Sequence, residues 1–262
     1  MKFIKVMLKA GISIVLILTV ITSCTKDDQK NDYNYFVSKN LVLSYKKDNI
    51  SSLIDIASVA LPEVSGLKPL LSNDVNVYKI VYKTTVAGDE INASGLICVP
   101  VAAGEYPVLS FQNGTNTVNA EAPSVFPTNL TYQLVEIIAS MGYVVVIADY
   151  PGFGESAQIP HPYLVKEPTV RSLVDLLYTA KEIVSSEFPG ITFKNEYYLL
   201  GYSQGGWATL ALHEALEQDF PVDFNLKGVC SSACSPGLRS RDGRLRTMAE
   251  GRYTAEQVDA AV

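Results

Sequence analysis

The residues with the clearest chemical potential are Gly201-Tyr202-Ser203-Gln204-Gly205, a Gly-x-Ser-x-Gly run. Ahead of it, Tyr197 to Leu200 form a short apolar, aromatic-rich stretch that reads as a buried strand. Behind it, Ala208 to Phe220 place apolar residues at helical spacing. A serine at so sharp a strand-to-helix turn is forced into strained backbone angles, which lift its hydroxyl above the sheet edge. Gly201 and Gly205 remove the Cβ atoms that would collide as strand and helix approach. The helix also turns its free N–H groups toward any anion formed there. Ser203 is therefore the candidate nucleophile. Without chemistry, the same run is a glycine-rich turn.

The elements that must hold this turn follow from the pattern along the chain. Asn49 to Ala60 reads as a short helix stopped by Pro62. Asp74 to Ala87 alternates as a strand, and after the turn Gly88-Asp89-Glu90 a second strand runs from Ile91 to Val99. Strands this close must pair antiparallel, because a parallel crossover needs about a dozen residues. From there strand and helix alternate. Pro107 to Phe111 is a strand, Leu130 to Met141 a helix and Tyr143 to Ala148 a nearly all-apolar strand. Val170 to Phe188 is a long helix with Leu173, Leu176, Leu177, Ala180 and Val184 on one face. A last strand covers Leu226 to Ser231. Alternation of this kind predicts an α/β fold, a mostly parallel sheet covered on both faces with function at the strands' carboxyl ends.

With 262 residues, 48% of them hydrophobic, the chain can bury a large core. A net charge of −6 argues against nucleic-acid binding. Lys2, Lys5 and Lys9 precede the apolar run Ala10 to Ile21, which is too short to span a bilayer comfortably. Residues 1–23 thus read as a targeting segment. It closes on Ile21-Thr22-Ser23-Cys24, which resembles a bacterial lipobox; the resemblance implies a lipid anchor on Cys24. An ordinary secretory signal with a chance cysteine is the alternative. Residues 24–35 read as a tether, and Lys26-Asp27-Asp28 within them is similar to the charged tether of surface lipoproteins. Cys98, Cys230 and Cys234 have no histidine nearby to complete a zinc set and read as small buried residues.

In order and spacing these features resemble the α/β-hydrolase superfamily. The antiparallel opening pair, the turn after Phe111, the loop Asp149-Tyr150-Pro151-Gly152-Phe153-Gly154 and Gly201 to Gly205 carry that likeness. Gln112-Asn113-Gly114-Thr115, His161-Pro162-Tyr163 and Gly201 to Gly206 are similar to secretory lipases and bacterial esterases. The resemblance implies a serine hydrolase acting on carboxylic esters through an acyl-enzyme on Ser203. Its oxyanion would be held by the backbone N–H of Gln204 and by one from Gly114 or Thr115. It implies no metal or organic cofactor, and a small-molecule or lipid ester as substrate. Asp149 takes a structural place in this scheme. Alternatives are a serine peptidase of the same fold, or a non-catalytic pseudoenzyme or envelope binding protein. The implied location is the cell envelope, as an outer-membrane lipoprotein facing periplasm or surface.

The base that Ser203 requires is not evident. The superfamily places acid and then histidine after the serine. His213 follows it by ten residues along a helix, roughly 15 Å away, and reads as a surface or packing residue. His161 precedes it and suits the pocket wall or a lid. Five of the six arginines fall between Arg239 and Arg252, whereas all 15 lysines come earlier. The expectation is a partial hydrolase domain over residues 36–238, lacking the final strands. Residues 239–262 would be an atypical tail, frameshifted or prematurely ended, or the start of a lid.

Overall fold

A computed structural model of the chain describes residues 34–232. The expected targeting segment, Cys24, the tether up to Tyr33, Cys234 and the arginine-rich tail lie outside the described residues. Among the described residues seven strands are formed: β1 (Phe36–Tyr45), β2 (Val75–Val86), β3 (Asp89–Pro100), β4 (Gly104–Gln112), β5 (Val144–Ala148), β6 (Ile191–Tyr202) and β7 (Leu226–Ser232). They make one sheet in the order β1-β2-β3-β5-β4-β6-β7. The first three strands and the β3–β5 pair are antiparallel, while β5, β4, β6 and β7 run parallel. The expected opening hairpin is present, and Ala87 and Gly88 turn it with positive φ.

The described residues also form four α-helices: α1 (Lys47–Ser58), α2 (Leu130–Glu136), α3 (Lys166–Glu187) and α4 (Gln204–Gln218). The all-apolar run of β5 has a direct cause. Val144, Val146 and Ala148 point into the core under α3 and α4, beside Leu173, Leu176, Leu177, Ala180, Ala208 and Leu212. Val145 and Ile147 point the other way, to Ile50 and Ile54 of α1 and Val135 of α2. A strand covered on both faces has no polar side to show. Each such fully buried aliphatic side chain contributes about 1.5–3 kcal/mol relative to exposure.

Several boundaries differ from those the sequence pattern predicts. Helix α3 begins at Lys166, four residues before the expected start; Pro168 sits in its first turn, where a missing N–H breaks no helical bond. The helix expected over Leu130 to Met141 is α-helical only to Glu136 and then tightens into a 3₁₀ turn, closed by Gly142 at φ 92°. Strand β1 carries no clear sequence signal. Two register shifts against β2 break its alternation, and Val37 and Leu41 face solvent.

One buried acid in this frame makes stability depend on pH. Glu136 is fully buried at the end of α2, and Tyr45 Oη donates to its Oε2 at 2.7 Å, while Oε1 has no partner. Desolvation pushes its carboxyl up to about 7, against the opposing effect of the Tyr45 hydrogen bond. Between about pH 4.5 and 7 the folded chain keeps a proton that the unfolded chain releases. Stability is then greatest below that window and falls as pH rises through it, by up to about 3 kcal/mol. Asp149 and Asp175 are shifted in the same direction, so the measure is a difference. In denaturant titrations across this window, Glu136→Gln should show a shallower loss than the wild type. Equal slopes would contradict the assignment.

Candidate active site

The turn from β6 into α4 is built by steric necessity. Ser203 lies at φ 57°, ψ −120°, a region costing a non-glycine residue about 1–3 kcal/mol. A Cβ on Gly201 would stand 2.2 Å from both the Gly205 carbonyl oxygen and Thr209 Oγ1. One on Gly205 would stand 1.8 Å from the Gln112 carbonyl oxygen. Strand, helix and the end of β4 therefore meet where only glycine fits. Hydrogen bonds hold the turn from both sides: Ser203 N donates to Ser232 O at 3.0 Å, and Trp207 N to Ser203 O at 3.2 Å. Ser203 itself stays half-buried, and its side chain caps no helix N–H.

The second wall is the turn after β4. A Cβ placed on Gly114 would lie 3.6 Å from the Tyr202 carbonyl oxygen and 3.8 Å from Ser203 Cβ, so the bare face of Gly114 is turned toward the serine. Asn113 shapes the turn. It is buried, its Nδ2 donates to Gly114 O at 2.9 Å, and its own carbonyl accepts from Tyr150 Oη at 3.1 Å. Gln204 is the first residue of α4, where backbone N–H groups have no partner within the helix. The structure thus brings Ser203, Gln204 and Gly114 together. Thr115 stands at the rim, its Oγ1 3.4 Å from Tyr163 Oη.

Asp149 follows β5 as a fully buried carboxylate. The hydroxyls of Ser94 and Ser124 donate to Oδ2, and Ser124 N donates to Oδ1 at 2.7 Å. Desolvation holds its carboxyl above the usual range despite those hydrogen bonds. These hydrogen bonds tie β3 and the segment at Ser124 to the end of β5. Neither histidine is directed at Ser203. His213 is buried in α4, its Nε2 3.0 Å from Glu217 Oε1 one turn on, which makes it a packing residue. His161 Nδ1 contacts Pro151 O at 2.7 Å and its Nε2 contacts Gln204 Nε2 at 2.9 Å. Tyr150, Phe153 and Tyr163 surround its ring.

Sequence reasoning missed Ser94, Ser124, Tyr150 and the pair in which Thr209 Oγ1 donates to Gln112 Oε1 at 2.7 Å. These contacts join distant segments, and no local pattern announces them. Among the described residues, no cluster of three or more His, Cys, Asp or Glu side chains is placed to hold a metal ion. None of the described helices is long and apolar enough to cross a membrane.

No protein-family model matches the chain, and no curated protein sequence does. Solved structures do. A protein assigned as a hydrolase from Legionella pneumophila superposes with a TM-score of 0.69 at 26% identity, covering 78% of this chain and 53% of that one. The rice cell wall degrading esterase LipA from Xanthomonas oryzae gives 0.64 at 27%, covering 76% and 50%. This is the α/β-hydrolase fold. Candida antarctica lipase A shares it at a TM-score of 0.54 and 16% identity, covering 77% of this chain and 42% of that one. The chain spans about half the length of these α/β-hydrolase structures or less. Of the neighbours at 26–27% identity, one is named as a hydrolase and the other as a cell wall degrading esterase.

The steric account of the turn can be tested away from activity. Gly205→Ala should lower stability by more than about 2 kcal/mol, read as a clear fall in thermal midpoint. Gly66→Ala serves as the control, because a Cβ there meets nothing within 4 Å. Equal effects of the two substitutions would refute the close-contact argument.

Proposed function

We propose that the chain is a serine carboxylic-ester hydrolase. The observation that carries this reading is the placement of Ser203, in a strained turn at the carboxyl end of β6 with the Gly114 backbone at its side. Ser203 Oγ attacks the ester carbonyl carbon; a C–O bond forms as the carbonyl π pair moves onto oxygen. That oxyanion is met by the backbone N–H of Gln204 and by one from Gly114 or Thr115. A single donor of this type is worth about 3 kcal/mol of transition-state stabilisation. Collapse expels the alcohol, which leaves with the proton taken from Ser203, and an acyl-enzyme remains; water then attacks the acyl carbon, one of its protons restores the Ser203 hydroxyl, and the acid departs.

In this proposal the base that removes the serine proton is neither His161, whose two ring nitrogens meet Pro151 O and Gln204 Nε2, nor His213, which lies buried ten residues along α4. Cys24 carries a lipid anchor and places the enzyme on the envelope, with a small or lipid ester as substrate. The likeness to an esterase supports an ester over an amide. A second reading has its own support: with neither histidine serving as base, the same site would bind an ester without turning it over.

Hydrolysis of 4-nitrophenyl butyrate separates the two readings. The wild-type chain should release nitrophenol, and Ser203→Ala should lose at least about 10³-fold of that rate. Hydrolysis undiminished in Ser203→Ala would refute the serine mechanism. Absence of hydrolysis in the wild type would favour the binding protein.

A further inference from the structure

His161 belongs to no step described so far, yet it is more closely held than a wall residue needs to be. Its backbone docks where Gly152, at φ 93°, lacks a side chain: a Cβ there would stand 2.5 Å from His161 Cα and 2.6 Å from its nitrogen. Its ring centroid is 4.8 Å from that of Phe153 and 6.0 Å from those of Tyr150 and Tyr163. Both ring nitrogens are used. The Pro151 carbonyl can only accept, so Nδ1 carries the proton and donates to it at 2.7 Å. In the neutral ring Nε2 is then an acceptor. Gln204 meets it with its amide nitrogen at 2.9 Å, which leaves Gln204 Oε1 buried without a partner.

Gln204 is not an arbitrary end point. Its backbone N–H is the oxyanion donor of the function proposed above. The loop that carries Pro151 also reaches the other donor, because Tyr150 Oη donates to the Asn113 carbonyl beside Gly114. That loop is anchored at its root by Asp149, gripped by Ser94 and Ser124. One segment, residues 149–153, therefore touches both halves of the oxyanion site, through Tyr150 on one side and through His161 on the other.

We infer that His161 is a positioning residue: as the Nδ1–H tautomer it ties the Gln204 side chain to the Pro151 carbonyl and so fixes the N–H that faces the oxyanion. The inference rests on the esterase reading, and it concerns geometry rather than proton transfer. The Nδ1–H tautomer selects the orientation of the Gln204 amide. Turning the amide over would place oxygen against Nε2, and that arrangement needs a second ring proton. A hydrogen-bond donor held this way gains rate through preorganisation, since small misplacements of an oxyanion donor are costly.

The test is a double-mutant cycle with a second, activity-independent readout. His161→Phe keeps an aromatic ring in the cage but has no nitrogen, and Gln204→Met keeps side-chain length and the backbone N–H. Each should lower kcat for 4-nitrophenyl butyrate about tenfold with KM within about twofold. The double variant should be no slower than the slower single one, because both remove the same tie. Losses that multiply in the double variant, or an unchanged kcat in His161→Phe, would overturn the inference. A purely structural role would lower the thermal midpoint of His161→Phe and leave kcat per folded molecule intact. Nitrogen NMR of His161 reads the tie directly: the wild type should show a protonated Nδ1 and bare Nε2, with Nε2 moving in Gln204→Met. A protonated Nε2, or no response to Gln204→Met, would refute the tie. If the wild type fails to hydrolyse the ester, the esterase reading falls, and the NMR result still decides whether the tie exists.

Discussion

The contact on which the rest of the structure depends is the near-collision of β6 with α4 at Gly201 and Gly205. Backbone atoms there approach so closely that no side chain fits, and Ser203 between the glycines is left at φ 57°. Such a turn is unfavourable by itself. It persists because strand pairing and core burial hold both flanking elements far more strongly than the strain opposes them. Strand β6 is paired on both edges, and α4 is buried along Ala208, Ala211 and Leu212. The Gln112–Gly201 register of β4 with β6 brings the end of β4 beside the turn, and the Thr209–Gln112 hydrogen bond ties it to α4. The neighbourhood of Ser203 and Gly114 is a consequence of that register.

A second constraint is electrostatic. Burial pushes the Asp149 carboxyl up, against the hydrogen bonds that lower it. The site nevertheless keeps an acid there, because one carboxylate can accept from two hydroxyls and a backbone N–H at once. It thereby joins β3, the segment near Ser124 and the end of β5. A hydrophobic side chain of the same size would pack but would leave those three donors unpaired. The arrangement fixes the root of the loop that reaches Asn113 and His161.

Much of this is legible in the sequence, for physical reasons that can be named. Strands β2 to β7 announce themselves because their residues are covered on both faces or alternate along the chain; Val144 to Ala148 is the plainest case. The Ser203 turn is legible because its glycines are a steric requirement within five residues. Strand β1 is hidden because it is an edge strand whose two register shifts destroy its alternation. The start of α3 is hidden because Pro168 reads as a breaker yet is tolerated in a first turn. The His161–Gln204 contact spans 43 residues and the Ser94–Asp149 contact 55. Nothing in a local window encodes such pairs. By chain order alone, His161 reads as a wall residue.

The measurement that tests the central claim most directly is mass-spectrometric mapping of the adduct left by a fluorophosphonate, which reacts with a serine hydroxyl only where that hydroxyl is open and activated. A single adduct is predicted on the peptide containing Ser203, lost in Ser203→Ala. An adduct on another residue, or none on a chain that is folded, would contradict it.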